Sequence, residues 1–481
     1  MFALVVYFIT AWNSHGYYHA DEHYQIIEFA GIKLGTHNPS DLAWEYGAKI
    51  RSTIQPTLAY WVIASLKVFD VNNPYNQVFM LRLLSMLLAI ITISYFISAT
   101  HNQFKNETIK RVYYFLAYFL WFETVLSVRF SSEAWSGLFF LLGISFYLKN
   151  QKNTVTPFVV GLFFGLSFLF RFQIAFAIAG CVSWMLFINR EKLTYAIKMG
   201  SIGIFILIAG FALDSWFVGE TTFTIWNYFY KNIVEDVASG FGTSPWYFYM
   251  IKITTYPSFI IGAALLFSLG TLVIYDRKSL FLWSFIPFLI LHSIIPHKEM
   301  RFLFPLVYFV PVFLCTALNF LSKTIKTNHP VFKLFVLLFF ICNTVGLAAM
   351  SVKSAGLGRM EITKYIHENY GDKKINLIFC SWANPYNPWH GLEAKYYIEK
   401  NITQIKIDDI CSLSNAEIVP DAVNLLVLRR AELIHETCYS NMLEKGFVFE
   451  TMSFPAWVEF LSRIYKEKTS TEVLELYKYK G

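Results

Sequence analysis

Charged residues are scarce in this 481-residue chain: they make up 15% of it, whereas hydrophobic residues make up 56%. A soluble domain carries about 25% charged residues. The deficit, spread over repeated apolar runs, excludes an ordinary soluble protein and indicates a polytopic membrane protein. The formal net charge of +7 does not indicate nucleic-acid binding, because much of it falls in short loops between apolar runs, as the positive-inside rule predicts.

Cysteine is also sparse, and the six cysteines form neither a CxxC pair nor a zinc-ligand spacing. Three lie in apolar runs and are expected to be packing residues: Cys181, Cys315 and Cys342. The other three, Cys380, Cys411 and Cys438, leave a disulfide in the tail as an open alternative. Residues 1–12 lack a basic n-region, so we expect no cleavable signal peptide.

Eleven apolar runs are suited to membrane spans, which need about 20 residues. They are 1–13, 78–99, 112–128, 133–148, 156–171, 173–188, 197–214, 257–275, 280–296, 302–321 and 331–351. If these runs cross, five basic loops share one side, which is therefore assigned to the cytoplasm. The short run 54–69 would reverse that assignment if it crossed, so we predict a re-entrant or interfacial helix there.

The non-cytoplasmic side then collects a first outer loop at 14–77, a large outer loop at 214–256, and the tail. An apolar stripe after Asp21 predicts a surface helix with Asp21 as its N-cap and Gly35 as its stop. In the tail, strands are expected at 375–379 and 423–428, and a helix at 391–400. We thus predict a transmembrane domain, 1–352, and a small α/β domain, 353–481, on the non-cytoplasmic side.

Two adjacent acids, Asp21 and Glu22, stand between histidines in the segment 19–25 (HADEHYQ). Glycosyl transfer needs a base for the acceptor hydroxyl, and partial desolvation near a membrane face can raise the pKa of a carboxylate toward that task. The alternative is a helix cap beside a solvated acid. A metal site formed with His19 and His23 is disfavoured, because neighbouring helical residues point in different directions, so no metal or other cofactor is expected.

Basic side chains return to the outer side at 297–301, where His297, Lys298 and Arg301 fall in five residues. Lysine offers a point charge and arginine a fork, which suits a lipid phosphate. The alternative is an ordinary loop of membrane-anchoring cations. Arg171 and Gln173 form either a polar turn or a second phosphate or sugar contact. Several ionisable turns on one face favour a shared polar cavity.

Asp214 ends an apolar run on the outer side, either as a plain cap or to orient substrate.

Together these motifs resemble the polyprenyl- (dolichyl-) phosphate-mannose-dependent α-mannosyltransferases of the GT-C fold, which build GPI anchors and N-glycan precursors. The segments that carry the resemblance are 19–25, 43–56, 129–133, 171–173, 214–219, 245–249 and, most specifically, 297–305 (HKEMRFLFP). Segment 380–390 is similar to that of the third GPI mannosyltransferase.

The resemblance implies a GT-C fold and a membrane enzyme that transfers mannose from a polyprenyl-phosphate-mannose donor to a hydroxyl of a GPI-like or lipid-linked oligosaccharide acceptor. It implies that the linkage of the donor sugar is inverted and that no metal is needed. It places the enzyme in the endoplasmic reticulum membrane of a eukaryote or the inner membrane of a bacterium, with the active site on the lumenal or periplasmic side. Its implied catalytic residues are Asp21 and Glu22. The implied donor phosphate ligands are His297, Lys298, Arg301 and Arg171, and the implied substrate contacts are His19, Glu45, Gln173, Asp214 and Trp246.

Three alternatives remain open at this stage. One is a GT-C transferase for another sugar or acceptor. Another is a polytopic lipid-linked sugar transporter or flippase, which favours internal repeats with paired broken helices; the sequence has no such repeat. The last is a non-catalytic subunit of a glycosylation complex, against which the intact acids and basic turns argue.

Overall fold

The computed structural model describes residues 1–324, 329–387, 391–413, 417–434, 436–454 and 473–481. The chain forms two compact units. The helical unit comprises Met1–Ala11, Ala48–Leu58 and Met80–Ser351. The sheet unit comprises Trp12–Gly47, Ala59–Phe79 and Val352–Gly481.

Helices dominate the chain up to Val352. They are α1 (Phe2–Asn13), α2 (Ala20–Tyr24), α3 (Ile27–Lys33), α4 (Trp44–Ala48), α5 (Ile54–Val68), α6 (Pro74–Thr100), α7 (Glu107–Phe119), α8 (Trp121–Ser127), α9 (Ser132–Lys149), α10 (Thr156–Phe170), α11 (Ala175–Phe187), α12 (Leu193–Val218), α13 (Thr224–Phe229), α14 (Phe248–Thr255), α15 (Phe259–Tyr275), α16 (Leu280–Ile294), α17 (Val310–Thr324) and α18 (Pro330–Val352). A 3₁₀ helix, Met300–Phe309, precedes α17. Each of the eleven apolar runs coincides with a helix or a pair of helices, which confirms their helical structure.

Four of the described helical segments are long and apolar enough to cross a membrane: Pro74–Gln103, Leu193–Val218, Met300–Thr324 and Pro330–Val352. The pair α15 and α16, bent by 116°, adds a fifth if it acts as one span. The fold is therefore polytopic and helical, while the count of eleven spans stays a prediction. Other apolar helices are too short for an independent assignment, such as α1 with 12 residues and α10 with 15.

The predicted span 112–128 is broken at Leu120, between α7 and α8. The side chain of Asn343, on α18, bridges the break. Its Oδ1 accepts the Trp121 N–H at 3.0 Å, and its Nδ2 donates to the Phe119 carbonyl at 2.7 Å. This one amide therefore supplies hydrogen-bond partners on both sides of the interruption.

Helix α9 packs against both α10 and the 3₁₀ helix. Ser136 and Ser167 donate to each other's carbonyl oxygens at 2.9 and 2.7 Å, which fastens α9 to α10. At Gly137 a Cβ atom would lie 2.4 Å from the carbonyl oxygen of Pro305, so backbone meets backbone at this crossing. These contacts bring the start of α9, the end of α10 and the 3₁₀ helix together.

The surface helix predicted after Asp21 is two short helices, α2 and α3. The N-cap of α2 is His19, so Asp21 lies in the first turn, and its prediction as the N-cap was wrong. The chain leaves the helix at Gln25, whose side-chain amide donates to Glu45 at 2.9 Å. Gly35, with φ of +70°, follows the end of α3 as predicted.

The sheet unit contains a five-stranded mixed sheet. Its strands are β1 (Ile375–Cys380), β2 (Ile402–Ile407), β3 (Val423–Arg429), β4 (Phe447–Met452) and β5 (Leu474–Tyr479), in the order β2-β1-β3-β5-β4. Strand β1 pairs in parallel with β2 and β3, while β5 runs antiparallel to β3 and β4. Both predicted strands are confirmed. Helices α19 (Arg359–Tyr370) and α20 (Glu436–Glu444) complete the described unit.

The helix predicted at 391–400 was wrong: within the described residues this segment has only a 3₁₀ turn, Lys395–Tyr397. Gly391 takes a φ of +91°, and the Ala394 N–H donates to the Tyr386 carbonyl instead of to a helical partner. Tertiary contacts therefore outweigh the local pattern. Nearby, Cys411 and Cys438 form a disulfide, and Cys380 is a buried free thiol.

Candidate active site

Two arginines of the helical unit converge on one carboxylate. Glu133, in the first turn of α9, lies with its Oε1 2.8 Å from Nη1 of Arg171 and 3.4 Å from Nη1 of Arg301. All three side chains are buried. Both guanidinium groups also face the ring of Phe302, at 5.3 and 5.5 Å from its centroid. The structure thus brings together two residues predicted from separate turns.

Glu299 completes this basic cluster. Its carboxylate takes two hydrogen bonds from Arg301, at 2.7 and 2.9 Å, and lies 3.1 Å from Nε2 of His297. The guanidinium groups of Arg171 and Arg301 thus contact two carboxylates, those of Glu133 and Glu299. Because a guanidinium fork matches phosphate as well as carboxylate, this buried cluster suits an anion that takes over some of these contacts.

Lys298 and His297 hold the large outer loop. The Lys298 ammonium donates to the carbonyl oxygens of Ser244, Ile295 and Pro296 at 2.8, 2.5 and 3.4 Å. His297 donates through Nδ1 to the Gly242 carbonyl at 2.9 Å. Burial lowers the pKa of Lys298 below its usual range. The contacts give both residues a structural role in addition to the predicted phosphate role.

Asp214 ties three elements of the helical unit together. Its Oδ1 accepts the N–H and the hydroxyl of Thr53, just before α5, at 2.7 and 2.8 Å, and the Ser52 hydroxyl at 3.5 Å. Its Oδ2 accepts the Thr224 hydroxyl, at the start of α13, at 2.5 Å. Asp214 is therefore an anchor within the protein, and substrate contact by this residue stays a prediction.

Gln173 contacts the large outer loop, because its Nε2 donates to the hydroxyl of Tyr228 at 2.5 Å. The same tyrosine ring lies 5.9 Å from the guanidinium carbon of Arg51. Trp246 lies in that loop with 72% of its surface exposed and its ring against Tyr247. The structure joins Gln173 to the loop through Tyr228, while Trp246 projects outward.

The acidic segment belongs to the sheet unit. Asp21 and Glu22 lie in the first turn of α2, both partly exposed, and Glu22 accepts the Tyr18 N–H at 3.3 Å. His19 occupies the N-cap position of α2, and Nε2 of Gln25 donates to Glu45 at 2.9 Å. The predicted catalytic role of the two acids stays a prediction.

Glu28, three residues after the acidic segment, is a buried carboxylate held by two histidines, and no motif in the sequence marks it. It lies 2.5 Å from Nε2 of His23 and also contacts Nε2 of His37. The rings of Tyr17 and Tyr397 both stack on the imidazole of His23, with centroid distances of 5.0 and 5.3 Å. This cluster fixes the backbone that follows Asp21 and Glu22.

An apolar groove runs alongside the 3₁₀ helix in the helical unit and has a cavity volume of about 70 Å³. Its walls are apolar or aromatic side chains: Phe122, Leu126, Ile253, Tyr256, Pro257, Leu265, Leu269, Phe285, Met300, Leu303, Phe304, Leu306, Val307, Val310 and Phe313. Met300 on the groove wall directly precedes Arg301 in the sequence, so the groove and the basic cluster share the first turn of the 3₁₀ helix. In the part of the chain that the structure describes, no group of three or more His, Cys, Asp or Glu side chains is placed to hold a metal ion.

The fold resembles that of ArnT from Cupriavidus metallidurans, solved bound to undecaprenyl phosphate. The TM-score is 0.54 over 99% of this chain and 96% of that chain, at 12% sequence identity. The likeness defines a polytopic, helical, GT-C-like fold with a C-terminal sheet, and it confirms that part of the predicted fold class.

The sequence profile of the Alg9-like mannosyltransferase family matches residues 1–378. The chain therefore belongs to the Alg9-like mannosyltransferase family, and it is a membrane mannosyltransferase. It is 25% identical to GPI mannosyltransferase 3 of Debaryomyces hansenii over 80% of this chain and 70% of that protein. It is 22% identical to GPI alpha-1,2-mannosyltransferase 3 of Bos taurus over 76% of this chain and 66% of that protein. The predicted family and enzyme class are confirmed.

Proposed function

We propose that the chain transfers mannose from a polyprenyl-phosphate-mannose donor to a hydroxyl of a GPI-like or lipid-linked oligosaccharide glycolipid. The observation that carries the proposal is the basic cluster beside the apolar groove. A lipid phosphate needs both a charged ligand for its headgroup and an apolar path for its chain. Arg301 belongs to the basic cluster, and Met300, which precedes it in the sequence, lines the apolar groove.

In the proposed reaction, Asp21 accepts the proton of the acceptor hydroxyl as its oxygen attacks the anomeric carbon of mannose. The bond from that carbon to the phosphate oxygen breaks, and the lipid phosphate leaves with the electron pair. Attack opposite to the leaving group converts a β-linked donor into an α-mannoside. Glu22 helps to position the substrate, and Glu45, His19 and Gln173 contact the sugars. We include Asp214 and Trp246 as weaker candidates for such contacts.

The departing phosphate gains negative charge, and Arg171, Arg301, Lys298 and His297 stabilise it. Preorganised cations in a buried site are worth more than in water, because they need no reorganisation at the moment of reaction. In this proposal Glu133 holds the two arginines in place until phosphate oxygens take over some of their hydrogen bonds. The matching geometry of carboxylate and phosphate toward guanidinium supports such an exchange.

The acceptor and the compartment rest on the relatives. Two relatives named GPI mannosyltransferase 3 and GPI alpha-1,2-mannosyltransferase 3 support a GPI-like acceptor and the endoplasmic reticulum membrane. The ArnT structure, whose ligand is undecaprenyl phosphate, supports a lipid-phosphate donor. We propose that the reaction takes place on the lumenal side, or on the periplasmic side in a bacterium.

Reconstituted protein tests the proposal against a panel of polyprenyl-phosphate sugars and defined glycolipid acceptors. We expect transfer from the mannose donor, an α-linked product, and a rate that EDTA does not change. Transfer of a different sugar, with none of mannose, would contradict the donor. Export of a lipid-linked sugar across the bilayer without any new glycosidic bond would favour a transporter instead.

A further inference from the structure

The large outer loop carries an amphipathic helical segment, which we name the loop helix: α13 and the π-helical turn Tyr230–Val234 that continues it. Five of its large apolar side chains form one stripe at helical spacing: Trp226, Phe229, Tyr230, Ile233 and Val234. Each has 43% to 57% of its surface exposed. Spacings of three and four residues place such side chains on one face of a helix.

The opposite face of the loop helix is fastened to the protein. Thr224 donates to Asp214 at 2.5 Å, Asn227 donates to the Lys49 carbonyl at 3.3 Å, and Tyr228 accepts from Gln173 at 2.5 Å. These three residues follow the same helical spacing. The orientation of the loop helix is therefore fixed, and its apolar stripe faces away from the helical unit.

We infer that the apolar stripe is immersed in the lipid interface beside the end of α12. The stripe continues a surface that already faces lipid, because α12 is a candidate span of which only 17% is buried in the protein. Phe223, just before the loop helix, packs its ring 6.1 Å from that of Phe211 on α12. Trp216, near the end of α12, is half exposed.

The composition of the stripe fits a bilayer more closely than it fits a protein partner. Tryptophan and tyrosine are enriched where hydrocarbon meets headgroups, and the stripe has both beside phenylalanine and aliphatic side chains. The other side carries Lys231, paired with Glu235 at 2.6 Å. A helix with one apolar face and one charged face lies in the plane of the interface.

Site-specific fluorescence in vesicles tests the inference whether or not the proposed reaction is correct. Single cysteines replace Trp226 or Ile233 on the stripe and, as a matched control, Glu235, which directly follows the loop helix. Cys342→Ser provides the background, since Cys342 is partly exposed and Cys181, Cys315 and Cys380 are buried. An environment-sensitive dye is attached, and the full chain is reconstituted in phosphatidylcholine with or without brominated acyl chains.

We expect blue-shifted emission and strong bromine quenching at positions 226 and 233, and water-like emission with little quenching at position 235. Water-like emission on the stripe would overturn the inference. A blue shift that bromine does not quench would also overturn it, because it would indicate a protein occupant. Substitution at exposed positions is expected to leave the fold intact, and two stripe positions guard against a defect peculiar to one variant.

Discussion

Glu133 is the residue on which the basic cluster of the helical unit converges. Its Oε1 lies 2.8 Å from Arg171 and 3.4 Å from Arg301. Two buried guanidinium groups that share one carboxylate would repel each other if the carboxylate were absent. The carboxylate therefore sets the spacing of the cations that we propose to bind the donor phosphate.

Glu133→Gln keeps the shape of the side chain and removes its charge. Charge-assisted hydrogen bonds contribute about 1.5–3 kcal/mol, so we expect kcat/KM for the donor to fall by about 10- to 100-fold. Initial rates at varied donor concentration measure the change. The control is Glu235→Gln, which alters an exposed ion pair with Lys231 and should leave the rate within about twofold. Unchanged donor kinetics in Glu133→Gln would contradict the role of Glu133.

Glu28 offers a prediction for acid stability. Burial alone would raise the pKa of Glu28, but His23 and His37 outweigh it and lower the pKa from 4.5 to about 2. A carboxylate with a lowered pKa stabilises the fold fully above its unfolded pKa, and that contribution is lost as the pH falls from about 4.5 toward 2. The thermal unfolding temperature of the purified protein should therefore fall as the pH is lowered across this range.

Glu28→Gln should unfold at a lower temperature at neutral pH and should depend less on pH below 4.5 than the unmodified protein. Asp372→Asn, at an exposed position, is the matched control and should follow the unmodified protein. If Glu28→Gln and the unmodified protein lose stability in parallel on acidification, the stabilisation does not come from this carboxylate.

At the level of elements, the crossing of α9 and the 3₁₀ helix depends on Gly137. A Cβ atom there would lie 2.4 Å from the carbonyl oxygen of Pro305, a clash with backbone that a side-chain rotation cannot relieve. The same crossing aligns Glu133 with Arg301. The spacing between two helices thus controls the geometry of the basic cluster.

Gly137→Ala should separate α9 from the 3₁₀ helix. Overpacking costs about 1–3 kcal/mol, so we expect a lower unfolding temperature together with a loss of transferase activity in the protein that remains folded. Gly203→Ala on α12 is the control, because a Cβ atom there meets nothing within 4 Å and alanine favours a helix. Equal activity and stability in both variants would refute the importance of this crossing.

The helices and two of the strands were predictable from the sequence, because hydrophobicity and residue type along a short segment determine them. Apolar length located the helices, and β-branched runs located β1 and β3. The break at Leu120 was not predictable, because Asn343, which bridges it, lies more than 200 positions away. The prediction of a helix at 391–400 was wrong for a related reason. The Ala394 N–H donates to the Tyr386 carbonyl, and the Tyr397 ring stacks on His23 in the same unit.

The same limit applies to the candidate site. Residue type marked Arg171 and Arg301 as cations for phosphate, yet no local spacing predicts that Glu133 joins them, since Glu133 and Arg301 are 168 positions apart. The anchoring contacts of Asp214 and Lys298 likewise arise from packing between distant segments. The roles of Asp21, Glu22 and the other predicted site residues stay predictions.

For the whole molecule, the charge pattern predicts one orientation in the membrane. Single cysteines at Ser40, Asp236 and Asp372 should react with a membrane-impermeant maleimide from the same, non-cytoplasmic side. A cysteine at Lys152, in a predicted cytoplasmic loop, should react only after permeabilisation. All four positions are exposed. Labelling of Asp372→Cys together with Lys152→Cys would refute the arrangement with eleven spans.

The central claim is that this membrane mannosyltransferase uses Asp21 as its base. The most direct test is single-turnover transfer by Asp21→Asn with purified polyprenyl-phosphate mannose and acceptor. The control is Asp41→Asn, because Asp41 is a carboxylate of the same unit and pairs with Lys395 at 2.7 Å. A general base contributes about 10²- to 10⁴-fold, and we predict a loss of that size in Asp21→Asn with normal folding, donor binding and membrane insertion. Near-normal turnover by Asp21→Asn would contradict the claim.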